Sequence, residues 1–232
     1  MDSELCRVCR LAPPPFVRAV AFGLYQDRMK AAIHALKYDR LHPAARDLGR
    51  MLAQAIAQLA AEAPAEMLVI PVPLHRSKCS QRGFNQAWSL AVYALASLRT
   101  THPHWRLKLA PSTLVRLRRT ASQAGLTSRQ RRLNVRGAFS VSDPAAVDSK
   151  HILVIDDIFT TGATARAAAQ ALVRAGAASV WVATLARARR TSDFRRRSSI
   201  QNAEDNRGEP SISLNADFDP ASFYSSQDQP SF

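Results

Sequence analysis

The fold of this chain is decided by the stretch Ile152-Leu153-Val154-Ile155-Asp156-Asp157-Ile158-Phe159-Thr160-Thr161-Gly162-Ala163-Thr164. Its first four residues are apolar and rich in β-branching, which predicts a strand buried on both faces. Two carboxylates follow at the point where this strand is expected to leave the core. A Thr-Thr-Gly turn comes next, and residues 165–172 are strong helix formers. The predicted order is therefore strand, acidic pair, turn and helix.

The turn offers separate places for a phosphate and for hydroxyl groups. A turn that enters a helix presents unpaired backbone N–H groups at the positive end of the helix dipole, which favours an anion. Gly162 and Ala163 are small enough for a phosphate to approach the backbone, and Thr160, Thr161 and Thr164 add hydroxyl donors. The acidic pair would repel a phosphate but suits ribose hydroxyls or a hard cation such as Mg²⁺. This polarity fits a ribose 5-phosphate unit.

Strand and helix patterns alternate along the chain and predict an α/β fold, a mostly parallel sheet with helices on both faces. The predicted strands are residues 17–25, 67–70, 137–141, 152–155 and 178–185, and the predicted helices are residues 27–37, 44–62, 84–98 and 165–172. Residues 99–112 are expected to form a loop. Because ligands bind beyond the carboxyl ends of parallel strands, the loops after residues 70 and 155 are expected to face one another.

An arginine-rich segment spans residues 116–136. Its arginines are Arg116, Arg118, Arg119, Arg129, Arg131, Arg132 and Arg136. The segment has little apolar content, so a mobile, cationic surface feature is predicted.

Two tryptophans are candidates for stacking on nucleic-acid bases. Trp88 lies on the apolar face of its predicted helix and is expected to lie in the core. For Trp105, a core position and a base-stacking surface position are about equally expected.

The charge of the chain is strongly positive and unevenly distributed. The net charge is +14. From Thr191 onward there are four Arg and seven Asp or Glu, a net of −3, and subtraction leaves +17 on residues 1–190. Such a field favours polyanions such as nucleotides, pyrophosphate or nucleic acid, although general solubility or a genomic bias toward Arg would also produce it.

The two termini differ from the body of the chain. Cys6 and Cys9 form one Cys-x-x-Cys pair, half of the four ligands that a tetrahedral zinc site needs. The acidic start lacks a signal peptide, no long apolar window predicts a membrane span, and cysteines are few. A cytoplasmic protein is therefore expected. Residues 191–232 are polar, have no regular period and are predicted to be disordered.

The stretch 152–164 resembles the motif of type I phosphoribosyltransferases that binds 5-phosphoribosyl 1-diphosphate (PRPP). The resemblance implies that Asp156 and Asp157 hold the ribose hydroxyls. It also implies that the loop Thr160, Thr161, Gly162, Ala163 and Thr164 holds the 5-phosphate, and that Mg²⁺ accompanies PRPP.

Other segments resemble the ComF family, competence-associated proteins that join a phosphoribosyltransferase fold to an N-terminal zinc ribbon. The matching pieces, in family order, are Cys6-x-x-Cys9 before Pro-Pro-Phe16, Ala35–Tyr38, Val69–His75, Arg82–Ala87, Gln123, Arg132–Phe139 and the PRPP motif. The family ribbon has two Cys pairs and this sequence contains one, so zinc is expected only if a second pair exists. The resemblance and the change of composition after Arg190 together divide the chain into a partial ribbon (1–16), a phosphoribosyltransferase-like domain (17–190) and a tail (191–232).

The resemblance also implies roles for the cationic segments. The loop from Pro71 to Arg76, with Val72 and Pro73, corresponds to the pyrophosphate-binding loop, and residues 116–136 correspond to a mobile hood. The candidate contacts for pyrophosphate or nucleic acid are Arg82, Arg129, Arg131 and Arg132.

Three functions remain open, and the resemblance to the ComF family implies a role in DNA uptake, natural transformation or the use of external DNA. The first is an enzyme that transfers phosphoribose from Mg²⁺–PRPP to an unknown acceptor, with Asp156, Asp157 and Arg76 as catalytic residues. The second is an accessory protein that binds single-stranded DNA and works with a helicase. The third is a PRPP-sensing regulator without chemistry. The oligomeric state is not predicted.

Overall fold

The computed structural model describes residues 9–10, 12–38, 42–120 and 127–188. Its helices are α1 (Asp27–Tyr38), α2 (His42–Ala57), α3 (Arg76–Arg82), α4 (Gln86–Thr101), α5 (Ser128–Val135) and α6 (Ala163–Arg174). Its strands are β1 (Ala19–Leu24), β2 (Glu66–Pro71), β3 (Arg106–Leu109), β4 (Leu114–Arg116), β5 (Phe139–Val141), β6 (His151–Phe159) and β7 (Ser179–Arg187). Cys6, Gln123 and the tail 191–232, predicted to be disordered, lie outside the described residues.

Five strands form one parallel sheet in the order β1-β7-β6-β2-β3, and β4 pairs with β5 in a separate antiparallel ribbon. β6 lies in the middle of the sheet, and β2 is its direct neighbour. Because both strands run in the same direction, the segments that follow them emerge at the same edge. The predicted fold class and the predicted meeting of these two segments are confirmed.

The apolar stretch of β6 is buried on both faces of the sheet. Ile152 and Val154 pack in one core cluster with the buried face of α6. Leu153 and Ile155 pack in another cluster, with α1, α2 and α4. This alternation follows from the two-residue period of a strand. The prediction of a strand covered by helices on both faces is confirmed.

β6 is longer than the sequence indicates. The strand was expected to end at Ile155, and that prediction is wrong, because Asp156 pairs with Thr184 and the ladder continues to Phe159. Its neighbour β7 also continues, so the backbone hydrogen bonds extend beyond the apolar run. Asp156 and Asp157 are therefore strand residues, and their side chains start toward opposite faces of the sheet.

Two other predicted boundaries are wrong. Residues 99–112 are not one loop, because α4 continues to Thr101 and β3 follows as the edge strand of the sheet. β3 has alternating exposure, with two charged residues pointing to solvent, and charge protects an exposed sheet edge from pairing. The helix predicted over 44–62 ends at Ala57 and continues as turns.

The buried face of α4 also differs from the expectation. The apolar residues that form this face are small or aliphatic: Ala87, Leu90, Ala91, Ala94, Leu95 and Leu98. Trp88 lies at the margin of this face and is 44% exposed, so its predicted core position is wrong. Trp105 packs against the core, and its Nε1 donates to Pro64 O at 2.8 Å.

The arginine-rich segment is partly folded into the body of the protein. β4 contributes Leu114 to the core, and the end of α5 contributes Val135. A capping box between Thr127 and Gln130 starts α5. The described arginines of the segment are exposed or half-buried, which agrees with the predicted cationic surface feature, whereas Thr120 and Val135 are buried. Across the described part of the chain, no helix has both the length and the apolar character needed to cross a membrane.

Candidate functional site

A cavity of about 500 Å³ opens beyond the carboxyl ends of β2 and β6. Its lining residues are Tyr25, His34, Lys37, Val72, Leu74, Lys78, Arg82, Asn85, Gln86, Ala87, Arg116, Thr120, Arg131, Asp156, Asp157, Ile158, Thr160 and Thr164. Five of these side chains are Lys or Arg and two are Asp. The cavity therefore combines one acidic pair with an excess of cations, a composition that suits a polyanion with hydroxyl groups.

Asp157 forms an ion pair with a lysine of helix α1. Its Oδ2 lies 2.6 Å from Lys37 Nζ at the end of α1. Lys37 and Asp157 side chains are 20% and 15% exposed, so solvent screens this ion pair only in part. The pair fixes the carboxylate of Asp157 at the cavity wall.

Asp156 lies in a different electrostatic environment. Burial and then the neighbouring Asp157 raise the pKa of its carboxyl to about 7. A hydrogen bond from the backbone N–H of Asp157 to Asp156 Oδ1 (2.9 Å) and the charges of Lys37 and Arg116 oppose this rise. One proton is therefore easily exchanged at the acidic pair near neutral pH.

The acidic pair fits Mg²⁺ only together with a ligand that supplies further oxygens. Within the described ranges, no group of three or more His, Cys, Asp or Glu could hold a metal ion. Mg²⁺ in nucleotide and phosphate sites commonly uses one or two carboxylates, substrate phosphates and waters. Asp156 and Asp157 match that pattern, and the chain does not need a complete set of protein ligands.

The turn between β6 and α6 leads into a helix N-terminus at the edge of the cavity. α6 begins after Gly162, and no side chain caps its first turn by a hydrogen bond. The Oγ1 of Thr161 is buried and has no hydrogen-bond partner. Thr160 and Thr164 line the cavity from this turn. The backbone N–H groups at the start of α6 and the Thr161 hydroxyl suit a phosphate.

The backbone conformation and the packing both require glycine at position 162. Gly162 has φ +73°, in the left-handed region. A Cβ added there would lie 2.6 Å from Cζ of Phe159, so the ring leaves no room for a side chain. Phe159 is itself enclosed by the Phe16 ring at 6.3 Å and the Arg187 guanidinium at 5.5 Å. Gly162 therefore permits the sharp turn that aims α6 at the cavity.

The segment after β2 approaches the acidic pair from the neighbouring strand. Val72 lines the cavity, and its N–H donates to Ile155 O at 2.8 Å. Asn85 Nδ2 donates to Val72 O at 3.1 Å, which joins this segment to the start of α4. Pro73 and Arg76 are not among the lining residues, and Arg76 is the first residue of α3.

The arginines predicted to contact pyrophosphate or nucleic acid lie in different parts of the structure. Arg82 and Arg131 line the cavity with the acidic pair. Arg132 faces a separate groove between α5 and α6, and Arg129 is an exposed residue of α5 that lines neither. Residues 121–126 of the predicted hood lie outside the described part of the chain.

Some cavity residues were not singled out as functional from the sequence. Lys37, Gln86 and Asn85 belong to segments that match the ComF family, but their residue types alone indicated no chemistry. Lys78 also lines this cavity. Its pKa is lowered by burial and then by Arg116, with smaller contributions from other cations. The lowered pKa of Lys78 reflects its burial and the other positive charges around it.

The partial zinc ribbon is described only at Cys9. Cys6 lies outside the described residues, and Cys9 Sγ lies 3.5 Å from Arg166 Nη2. The zinc site stays a prediction, and its remaining ligands would have to come from outside the described ranges.

Comparison with known proteins connects this geometry to a family. The family model described as "Phosphoribosyl transferase domain" matches residues 108–210. The DNA utilization protein YhgH of Salmonella typhi is 36% identical over 186 residues, 78% of this chain and 77% of that protein. Competence protein F of Haemophilus influenzae is 27% identical over 189 residues, 80% of each chain.

A solved structure of the glutamine PRPP amidotransferase from B. subtilis, complexed with ADP and GMP, aligns with a TM-score of 0.38 and 25% identity. The alignment covers 61% of this chain and 26% of that chain. The resemblance noted in the sequence is confirmed by the curated relatives. The chain belongs to the ComF family, together with the DNA utilization protein YhgH and Competence protein F, and carries a phosphoribosyltransferase domain.

Proposed function

We propose that this protein binds Mg²⁺–PRPP in the cavity beyond β2 and β6 and acts in the cytoplasm in DNA uptake or the use of external DNA. One observation carries the ligand: Asp156 and Asp157 line a single cavity together with the turn that starts α6 and five Lys or Arg side chains. PRPP has the matching order of charges, with a 5-phosphate, a hydroxylated ribose and a diphosphate. The relatives named DNA utilization protein and Competence protein F support the role in DNA use.

The same geometry supports phosphoribosyl transfer. In that reaction the bond between ribose C1 and the diphosphate oxygen breaks, a bond from C1 to the acceptor forms, and the acceptor loses a proton. Asp156 and Asp157 would position the ribose, and Lys78, Arg82 and Arg116 would stabilise the charge on the departing pyrophosphate. Bound Mg²⁺ would supply further charge neutralisation.

Calorimetric titration with Mg²⁺–PRPP tests the ligand assignment. The variant Asp156→Asn with Asp157→Asn is expected to lose binding, because neutral amides bind Mg²⁺ and accept hydrogen bonds from ribose hydroxyls more weakly than carboxylates do. Asp47→Asn is the matched control, since Asp47 is an exposed carboxylate on α2. Unchanged affinity in the double variant would refute the ribose assignment. Release of pyrophosphate across a panel of nitrogenous bases would favour the enzyme, and binding without release would favour the PRPP sensor.

A separate groove supports contact with single-stranded DNA as a second function. The groove of about 950 Å³ between α5 and α6 has four arginines and no carboxylate among its lining residues. The arginines are Arg132, Arg136, Arg166 and Arg174. When arginines contact phosphates, the affinity for DNA falls as the salt concentration rises. For single-stranded DNA, each contact adds roughly −0.7 to the slope of log K against the logarithm of the salt concentration.

Replacing three groove arginines tests this contact. The variant Arg132→Ala, Arg136→Ala and Arg174→Ala is expected to weaken binding of a single-stranded oligonucleotide and to reduce the salt slope by about 2. The control removes the same charge from the helices on the other face of the sheet, with Arg46→Ala, Arg50→Ala and Arg99→Ala. Equal losses in both variants would attribute binding to net charge and rule out the groove.

A further inference from the structure

The groove between α5 and α6 shares a wall with the cavity that contains the acidic pair. Arg131 lines the cavity, and the next residue of α5, Arg132, lines the groove. At the start of α6, Thr164 lines the cavity and Ala163 lines the groove. A third pair of residues, in the ribbon of β4 and β5, is divided in the same way. The two spaces therefore lie side by side.

The third pair lies at the end of the cavity that is proposed to hold the pyrophosphate. Arg116 and Phe139 are direct cross-strand partners in the ribbon. Arg116 lines the cavity, Phe139 lines the groove, and the guanidinium lies 5.2 Å from the centre of the ring. Because Arg116 is one of the cations proposed to stabilise the pyrophosphate, the groove approaches the cavity where the bond from C1 to the diphosphate would lie.

The groove suits the backbone of a nucleic acid better than its bases. Its lining residues include four arginines and no carboxylate. Apart from these arginines, the polar side chains among the lining residues are Ser140 and Gln170. Phosphate contacts position a strand without reading its sequence. A base of a strand in the groove can therefore turn toward the shared wall.

A single strand is the form of DNA from which a base reaches the cavity most easily. Enzymes that act on a base of DNA take the base out of the stack, and an unpaired base needs the least energy for this movement. Arg131 and Arg132 are consecutive residues of α5, so a strand held by Arg132 lies next to the cavity wall. The groove and the cavity together can accommodate a strand and PRPP at the same time.

We propose that the acceptor of the phosphoribosyl group is a base of a single DNA strand held in the groove between α5 and α6. This inference rests on the proposed function, because it names the second substrate of the proposed reaction. A base nitrogen that carries hydrogen forms a bond to C1 with its lone pair. The bond from C1 to the diphosphate oxygen breaks, and its electron pair leaves with the pyrophosphate. The nitrogen loses a proton, which the released pyrophosphate takes up.

The test measures transfer of labelled phosphoribose from PRPP to a single-stranded oligonucleotide by the full chain with Mg²⁺. The label is in the ribose, the oligonucleotide contains all four bases, and a denaturing gel detects covalently bound label. Labelled oligonucleotide and an equal amount of pyrophosphate are expected. The same sequence as a duplex is expected to accept about tenfold less, because a paired base must first leave the duplex. Free bases are expected to accept less than the oligonucleotide, since they make no phosphate contacts with the groove.

Variants of the groove separate delivery of the strand from binding of PRPP. The triple variant that replaces Arg132, Arg136 and Arg174 is expected to transfer label about tenfold more slowly at low oligonucleotide concentration. Its affinity for Mg²⁺–PRPP, measured by calorimetry, is expected to stay within about twofold. The triple control on the other face of the sheet should keep the transfer rate. Arg174→Gln changes one exposed residue at the end of α6 and should slow transfer in the same direction if the triple variant does not fold.

The possible failures of the inference and of the proposed function differ. If PRPP and the oligonucleotide both bind and no label reaches the oligonucleotide, the inference is overturned and the proposed binding of PRPP stands. Free bases that accept faster than the oligonucleotide overturn the inference and support phosphoribosyl transfer to another acceptor. An unchanged transfer rate in the groove variants also overturns it. If the unmodified protein does not bind Mg²⁺–PRPP, the proposed function fails, and the inference fails with it.

Discussion

Lys37 Nζ lies 2.6 Å from Asp157 Oδ2, so an ion pair joins the end of α1 to the carboxyl end of β6. Both side chains are largely shielded from solvent. Removal of one partner leaves the other charge without compensation in a region of reduced dielectric. The ion pair therefore stabilises the cavity wall as well as the acidic pair.

Lys37→Met is expected to lower the free energy of unfolding by about 1–3 kcal/mol, because it leaves the Asp157 carboxylate without its partner. Urea denaturation measures the change. Asp157→Asn in the same chain should recover part of the loss, and the double-mutant cycle gives the coupling between the two side chains. A coupling of zero would show that the ion pair contributes nothing to stability.

Asp156 is expected to make stability depend on pH. Because the pKa of the Asp156 carboxyl is raised to about 7 in the folded protein, the carboxyl keeps its proton up to about pH 7, whereas in the unfolded chain it loses the proton near the ordinary pKa of 3.8. The unfolded state therefore binds fewer protons between these values, and the free energy of unfolding falls as pH rises through this window. Below pH 4 both states are protonated and the contribution is complete.

The measurement compares the melting temperatures of the unmodified protein and Asp156→Asn from pH 5 to pH 8. The asparagine cannot ionise but keeps the acceptor for the Asp157 N–H. Asp156→Asn is expected to gain in melting temperature relative to the unmodified protein as pH rises. A difference that stays constant over this range would contradict the raised pKa of Asp156.

Gly162→Ala is expected to destabilise the protein by about 1–2 kcal/mol from the left-handed backbone alone, and by more from contact with the Phe159 ring. Thermal or urea unfolding measures the loss. Gly23→Ala is the control, because a Cβ there meets nothing within 4 Å. Phe159→Leu added to Gly162→Ala should recover only the portion due to the ring. Equal effects at Gly162 and Gly23 would argue against this explanation.

Asn85 is expected to contribute through two separable hydrogen bonds. Asn85→Ala loses both the helix cap and the bond to Val72 O, and should cost about 1–2 kcal/mol. Asn85→Ser can still cap α4 but is too short for Val72 O. Serine should therefore recover most of the stability in urea denaturation. If serine is as damaging as alanine, the helix cap is not the larger contribution.

The central strand was predictable because its signal is local. The apolar run from Ile152 to Ile155 and its alternating burial follow directly from residue type and strand period. The true end at Phe159 was not predictable, since it depends on how far β7 continues alongside. Trp88 was misplaced because alanines form much of the buried face of α4, and alanines contribute little to an apolar pattern.

The acidic and hydroxyl residues of the candidate site could be predicted from the sequence, whereas its lysine and amide residues could not. Asp156, Asp157, Thr160 and Thr164 are close in sequence, so one motif reveals them. Lys37 and Gln86 come from other elements, and only the packing of α1 and α4 on the sheet brings them to the cavity. A single lysine or glutamine has no local pattern that would identify it.

A crystal structure of the protein with Mg²⁺ and PRPP tests the central claim most directly. The expected result has the 5-phosphate at Thr160–Thr164, the ribose hydroxyls on Asp156 and Asp157, and the diphosphate beside Lys78 and Arg116. Mg²⁺ would lie on PRPP oxygens within reach of the acidic pair. PRPP bound away from Asp156 and Asp157, or a cavity that stays empty at saturating PRPP, would contradict the account.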